Sequence, residues 1–196
     1  MESTATIIAS LISAIGALLS VWLGKMLMKR KCPQDPVVKD TALSANVYTA
    51  LNYTMEEMGA DRAYVLEFHN GGHYYSGRGQ QKFSCTHEIA KKGISRECNR
   101  SQEHRVSNYH SYISELISSS KFEYDNINKI PDGSFLMLLS RSGVKSILNI
   151  PIKTLNGKII GILGVDYVGD PVDGGFEEKK CKLMKVQARI IAGYLV

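Results

Sequence analysis

Apolar and β-branched residues are densest between Val144 and Val168, where GVKSILNIPIKT, LNGK and IIGILGVDYVG follow one another. Asn156-Gly157 separates the two apolar runs, and that pair accepts the positive φ angles of a tight hairpin turn. Strict alternation puts Ile150 and Ile152 on one face of the first run. It puts Ile160 and Ile162 on one face of the second, with Val165 and Tyr167 further along. Both runs are too apolar for a sheet with one wet face, so helices are expected over part of the hairpin. The pattern predicts the middle of an antiparallel sheet.

Upstream, Leu43, Val47, Leu51, Met55 and Met58 recur at steps of four and three, the stripe of an amphipathic helix capped by Thr41 and Gly59. DRAYVLEFHN then alternates as a strand, a glycine-rich loop is expected over Asn70–Gly79, and KFSCTHEIA is a weaker second strand. Residues 91–105 read as a polar, exposed connection. HSYISELISSS places Tyr112, Ile113, Leu116 and Ile117 in helical spacing. FEYDNINKIP is a short extended piece closed by the turn tripeptide Pro131-Asp132-Gly133, and SFLMLLSRSG a short buried helix. After the hairpin, FEEKKCKLMKVQARIIAGYLV sets Met184, Ala188, Ile191 and Leu195 on one face, with an acidic start suited to a helix dipole.

The first thirty residues differ in kind. No ionisable side chain lies between Glu2 and Lys25, and the run from Ser3 to Gly24 matches the roughly 20 residues that span a bilayer. Lys25, Lys29, Arg30 and Lys31 follow it, with Trp22 near the same end. A cleaved signal peptide fits poorly, because MESTAT carries no positive charge. The expectation is a single-pass anchor in the inner (plasma) membrane, residues 1–30. The positive-inside rule then places the C-terminal part in the cytosol. Gly16, Ser20 and Gly24 recur every fourth residue, a spacing that lets two helix backbones approach in lipid. Self-association through this helix is therefore expected. Cys32-Pro33 and Asp35-Pro36 mark a linker over 31–40; Cys32 is placed where an acyl chain or cross-chain disulfide would be accepted, but an idle cysteine is the plainer reading.

Composition narrows the function classes. The chain has 196 residues, 44% of them apolar, enough for one domain with a proper core. Its net charge of +5 is not gathered into a basic face interleaved with aromatics, so no nucleic-acid partner is expected. Cys32, Cys85, Cys98 and Cys181 form no CxxC pair, and free thiols are favoured over disulfides.

The densest polar and aromatic stretch is Phe68–His87. Its candidate ligand-binding residues are Phe68, His69, His73, Tyr74, Tyr75, Arg78, Cys85 and His87, expected to converge over one sheet face. Aromatic packing beneath a loop is the plainer alternative. His69 and His73 are not on a helix, so a zinc pair is not implied and no metal site is assigned. Cys85 with His87 or His104, and Glu67 with His69, are the pairs that invite a catalytic reading. Cys85 and His87 at i and i+2 would share a face, but nothing fixes the geometry that nucleophilic use requires. No enzymatic activity is expected. GGHYYSGRG lacks the Gly-Lys-Ser/Thr of a phosphate loop and leads into a strand.

Taken together, the closing block SILNIPIKTLNGKIIGILGVDYVGDP with FEEKKCKLMKVQARIIAGYL resembles the end of a GAF domain. Ile150-Pro151-Ile152, Gly161-Ile162-Leu163-Gly164 and Phe176 fill the family's pattern, and the resemblance covers residues 41–196. It implies an α+β fold of GAF/PAS type, an antiparallel sheet with N- and C-terminal helices packed on one face. It also implies a sensory or adaptor module that binds a small ligand or protein partner and self-associates through its terminal helices. No output domain is expected after the last helix. The Asn-Lys-Phe-Asp-Glu set of cyclic-nucleotide binders cannot be placed, nor can Cys85 or Cys98 be assigned as a chromophore cysteine, so the cofactor stays unknown. HYYSGRGQQKF and the terminal hairpin-plus-helix are similar to the single-span holins of T-even phages. In those, a basic segment precedes the span, the opposite of the charge found here. A membrane scaffold without a small-molecule ligand is the third reading.

Overall fold

The computed structural model describes residues 2–29, 35–131 and 133–196. The expectations for Arg30, Lys31, Cys32, Pro33 and Asp132 lie outside the described residues.

Two units make up the chain, Met1–Asp40 and Thr41–Val196. In the first, α1 runs from Glu2 to Lys29. Its segment Ile8–Met26 is long and apolar enough to cross a membrane by length and composition. At 1.5 Å per residue it reaches about 28 Å, close to the hydrocarbon thickness of a bilayer. Two hydroxyl groups along it are met internally. Ser10 donates to the Thr6 carbonyl at 2.8 Å, and Ser20 to the carbonyls of Gly16 (3.0 Å) and Ala17 (2.9 Å). Such back-bonding satisfies the hydroxyl donor within the helix itself.

Helix α2 spans Pro36–Met58, so it starts five residues before Thr41. Proline suits the first helical position, where no amide donor is needed, and Asp35 caps the turn by accepting from the Val37 amide at 2.8 Å. After it come β1 (Arg62–His73), β2 (Gly79–Ala90), β3 (His104–Arg105), α3 (His110–Ser119), β4 (Phe122–Tyr124), α4 (Ser134–Arg141), β5 (Ser146–Lys153), β6 (Ile159–Tyr167) and α5 (Glu178–Tyr194). The six strands form one antiparallel sheet in the order β3-β2-β1-β6-β5-β4. The β5–β6 hairpin lies inside that sheet, between β1 and β4, and Gly157 takes a φ of +83° at its turn.

Helices α2 and α5 cover one face. Val47, Leu51 and Met58 of α2 and Met184, Ala188 and Ile191 of α5 pack on Val65, Leu148, Ile150, Ile152, Leu163 and Val165. Burying each of the larger side chains contributes about 1.5–3 kcal/mol. The opposite face carries Leu66, Phe83, Cys85, Ile147 and Ile162 under α3 and α4, with Tyr112, Leu116, Phe122, Phe135 and Leu139. Ile117, expected in the α3 stripe, is exposed.

Bulges revise the simple alternation. Ile152 pairs with Gly161 but Lys153 with Ile159, so Ile160 is an extra residue. Ile160 therefore packs against the α2/α5 core while Ile162 faces the other, and the two do not share a face. The glycine-rich loop is also shorter than expected. Asn70-Gly71-Gly72 continues β1 across an irregularity, leaving the turn to residues 74–78. The connection at 91–105 contains a 3₁₀ turn, Cys98–Arg100, and the edge strand β3.

Candidate functional site

On the sheet face beneath α3 and α4, β1 presents Arg62, Tyr64, Leu66 and Phe68 by alternation. Arg62 is 1% exposed, and each of its nitrogens has a partner. Nε donates to the Asp166 carboxylate at 2.9 and 3.2 Å, Nη1 to the Ser95 carbonyl at 3.0 Å, and Nη2 to the Ser142 carbonyl at 3.1 Å. One guanidinium thus ties β1 to β6, to the polar connection and to the end of α4. A buried ion is tolerated only when its hydrogen bonds are completed in this way. Burial, with Glu88 and Asp61 nearby, still pushes the Asp166 carboxyl above its usual range. Glu88 itself accepts from the Glu97 and Cys98 amides, both at 2.9 Å.

Next to this cluster stands an aromatic group. Tyr112 stacks on Phe135 with centroids 3.7 Å apart and 10° between planes, and Phe122 meets both rings edge-on, at 4.8 and 5.4 Å. Phe83, His104 and Tyr109 extend the group at 5.2–5.4 Å. Behind it runs a polar chain. Asn149 donates to the Tyr112 hydroxyl at 2.7 Å and accepts from Tyr64 at 3.0 Å. Burial raises both tyrosine pKa values, so both hydroxyls stay protonated.

Between α3, α4 and β4 this leaves a cavity of about 240 Å³. Tyr109, Tyr112, Phe122, Ile130 and Phe135 supply apolar wall, while Ser107, Asn108, Ser111, Glu115 and Ser134 supply polar groups. Because Tyr112 already accepts from Asn149, its own O–H is available as a donor. An inner cavity of about 50 Å³ adjoins across Phe135, lined by Tyr64, Cys85, Glu88, His104 and Asp166 among others.

The stretch Phe68–His87 does not converge over one face. Phe68 meets Phe83 edge-on at 6.2 Å on the cavity side, and Cys85 lines the inner cavity. His69 alternates to the other side of β1, where Nε2 lies 2.9 Å from the Ser84 hydroxyl and 3.7 Å from Glu103. His73 ends β1 exposed, Tyr75 is fully exposed at the turn, and Arg78 sits 4.8 Å over the Tyr74 ring. Val65 pairs with His87 but Leu66 with Cys85, so Thr86 is an extra residue and Cys85 and His87 point to opposite faces. The expectation that they share a face is thereby corrected. His87 instead packs under α2, with Nε2 3.1 Å from the Ser44 hydroxyl, Nδ1 2.9 Å from Thr86 and its ring against Tyr48. Cys85, Cys98 and Cys181 are free. Among the described residues no group of three or more His, Cys, Asp or Glu is arranged to hold a metal ion.

The cavity residues were not singled out from sequence, since they are scattered from Ser107 to Leu136. Tyr109 and Tyr112 three apart, beside Phe122 and Phe135, were the available signal.

Comparison with known proteins bears on the same region. No curated protein sequence matches the chain. Among solved structures, the GAF domain region of a putative membrane protein from Geobacter sulfurreducens is similar at 19% identity and a TM-score of 0.59, over 82% of this chain and 98% of that one. The blue-light-absorbing form of the PixJ GAF domain from Thermosynechococcus elongatus is similar at 15% identity and a TM-score of 0.60, over 79% and 88%. A domain of a putative two-component sensor histidine kinase from Sinorhizobium meliloti is similar at 14% identity and a TM-score of 0.52, over 76% and 86%. At these identities the likeness is one of fold. The GAF domain family model matches residues 43–195, and the chain belongs to that family.

Proposed function

We propose that this protein is a membrane-anchored sensory or adaptor module whose GAF domain binds a small ligand and passes the change to a partner, without catalysis. The aromatic cavity between the sheet, α3 and α4 carries this reading. It combines apolar walls with a few polar groups, the usual make-up of a small-molecule site. Its volume of about 240 Å³ lies below the roughly 300–1,000 Å³ of drug-sized sites, which favours a compact ligand over one as large as a bilin. Neighbouring folds support a sensory role. One similar structure is a far-red-absorbing dark state with bound biliverdin, and another is a domain of a putative two-component sensor histidine kinase.

Helix α1 is the proposed anchor, and its following basic residues favour a cytosolic GAF domain. Self-association is proposed through Gly16, Ser20 and Gly24 and through the outer faces of α2 and α5, where Tyr48, Tyr53, Val186 and Ile190 are exposed. No observation favours the phage-holin or ligand-free scaffold readings over this one.

Full-length protein in detergent, melted against a panel of small planar metabolites, tests the ligand. A saturable rise in melting temperature is expected from at least one compound, and none across the panel would contradict the reading. For sidedness, Cys85 is too buried to report. A Leu155→Cys variant, at a fully exposed hairpin tip, is expected to resist an impermeant thiol reagent in intact cells.

A further inference from the structure

Two free thiols meet beside the inner cavity. Cys85 lies on β2, Cys98 opens the 3₁₀ turn Cys98–Arg100, and both line that cavity. The turn is laced across the strand at this point. The Cys85 amide donates to the Ser101 carbonyl at 2.7 Å, and the Gln102 side-chain amide donates to the carbonyls of Cys85 and Cys98, both at 2.7 Å. The Cys98 amide donates to the Glu88 carboxylate at 2.9 Å. Cys98 Sγ donates to the Cys85 carbonyl at 3.2 Å and lies within interaction range of the Cys85 thiol. A disulfide needs its two Cα atoms within about 7 Å, and here strand and turn are held together by hydrogen bonds around the pair.

Their surroundings give the two sulfurs different roles. Cys85 is 5% exposed, and burial, with the Cys98 side chain beside it, pushes its pKa up, so it stays protonated. Cys98 is half-buried on the outer connection, so a solute meets it first. A reagent that reacts there needs no path to Cys85, because the second sulfur arrives from within the protein.

We propose that Cys85 and Cys98 form a reversible disulfide, a thiol switch set by a low-molecular-weight disulfide, RSSR. Cys98 attacks one sulfur of RSSR as the thiolate, and its proton passes to the departing RS⁻. The S–S bond of the reagent breaks and a Cys98–SR mixed disulfide forms. Cys85 then attacks Cys98 Sγ, the Cys98–SR bond breaks, and the second RS⁻ leaves with the Cys85 proton. The two cysteines lose two electrons, and RSSR becomes two RSH. The second step is the slower one, since Cys85 is little ionised. The bridge fastens the connection at 91–105 to β2 beside Glu88, and it depends on neither a ligand in the aromatic cavity nor the membrane anchor.

Full-length folded protein in detergent is incubated with hydroxyethyl disulfide, alkylated, and digested with trypsin without reduction. Mass spectrometry is expected to find FSCTHEIAK linked to ECNR, and dithiothreitol to separate them. Cys98→Ser is expected to lose the link and leave Cys85 unmodified, and Cys85→Ser to stop at the mixed disulfide on Cys98. The wild-type map alone is decisive should either variant fail to fold. Both thiols unmodified, a mixed disulfide on Cys98 as the end product, either cysteine linked instead to Cys32 or Cys181, or a link that forms only in urea would overturn the proposal.

Discussion

The side-chain amide of Asn149 donates to the hydroxyl of Tyr112 at 2.7 Å, and both residues are buried. This bond joins the inner face of β5 to α3 and fixes the Tyr112 hydroxyl as the acceptor of a buried amide. Tyr112→Phe leaves the amide donor unmatched and is expected to cost about 1–3 kcal/mol in urea denaturation. A double-mutant cycle with Asn149→Ala is expected to show coupling of about 0.5–3 kcal/mol. A cycle closing at zero would mean the pair does not hold α3 to the sheet.

Gly164 lies beneath Asn149 and its other partner, Tyr64. A Cβ there would stand 2.3 Å from the Tyr64 ring and 2.5 Å from Asn149 Oδ1. Gly164→Ala is expected to destabilise by at least the ~1–3 kcal/mol of overpacking, because both neighbours are themselves tied down. Gly193, in the last turn of α5, has nothing within 4 Å of such a Cβ. Gly193→Ala is expected to be neutral or stabilising by up to about 1 kcal/mol. Thermal melts of the two variants separate a packing requirement from a general dislike of substitution.

His104 sets an acid sensitivity. Burial depresses its folded-state pKa below the usual 6.5, so over the pH range just below 6.5 the unfolded chain binds the proton and the folded chain does not. Stability from this residue is intact above pH 6.5 and is lost as pH falls through the folded pKa. His104→Phe keeps the contact with Phe83 and is expected to flatten that part of the stability–pH curve. Asp166 works the other way, its raised pKa making stability fall as pH rises from about 4, so the curves of wild type and variant must be compared directly.

Anchoring by α1 predicts resistance of the full chain to alkaline carbonate extraction. Ile15→Arg with Leu19→Arg, both in the middle of the apolar segment, is expected to release it, each arginine opposing insertion by about 2.5–3.5 kcal/mol. Extraction of the wild-type chain, or retention of the double variant, would contradict an inserted α1.

Much of the framework was legible because local chemistry and tertiary packing agree. Asn156-Gly157 makes its turn, the β5 and β6 runs are buried on both sides, and Met184, Ala188 and Ile191 face inward as their spacing requires. What the pattern hid were the single-residue insertions. Thr86 and Ile160 each reverse the faces of the residues beyond them, so counting by twos grouped Cys85 with His87 and Ile160 with Ile162. The cavity was hidden for another reason. Its aromatic residues come from separate elements between residues 109 and 135, and meet only when α3 and α4 close over the sheet. Arg62 read as an ordinary strand residue because its partners, Asp166, Ser95 and Ser142, are distant in the chain.

A crystal structure of the full chain with a compound that raises its melting temperature tests the account most directly. The expected result is a compact molecule enclosed by Tyr109, Tyr112 and Phe135, accepting a hydrogen bond from the Tyr112 hydroxyl. Water alone in that cavity, or the compound lodged on the α2/α5 side of the sheet, would contradict it.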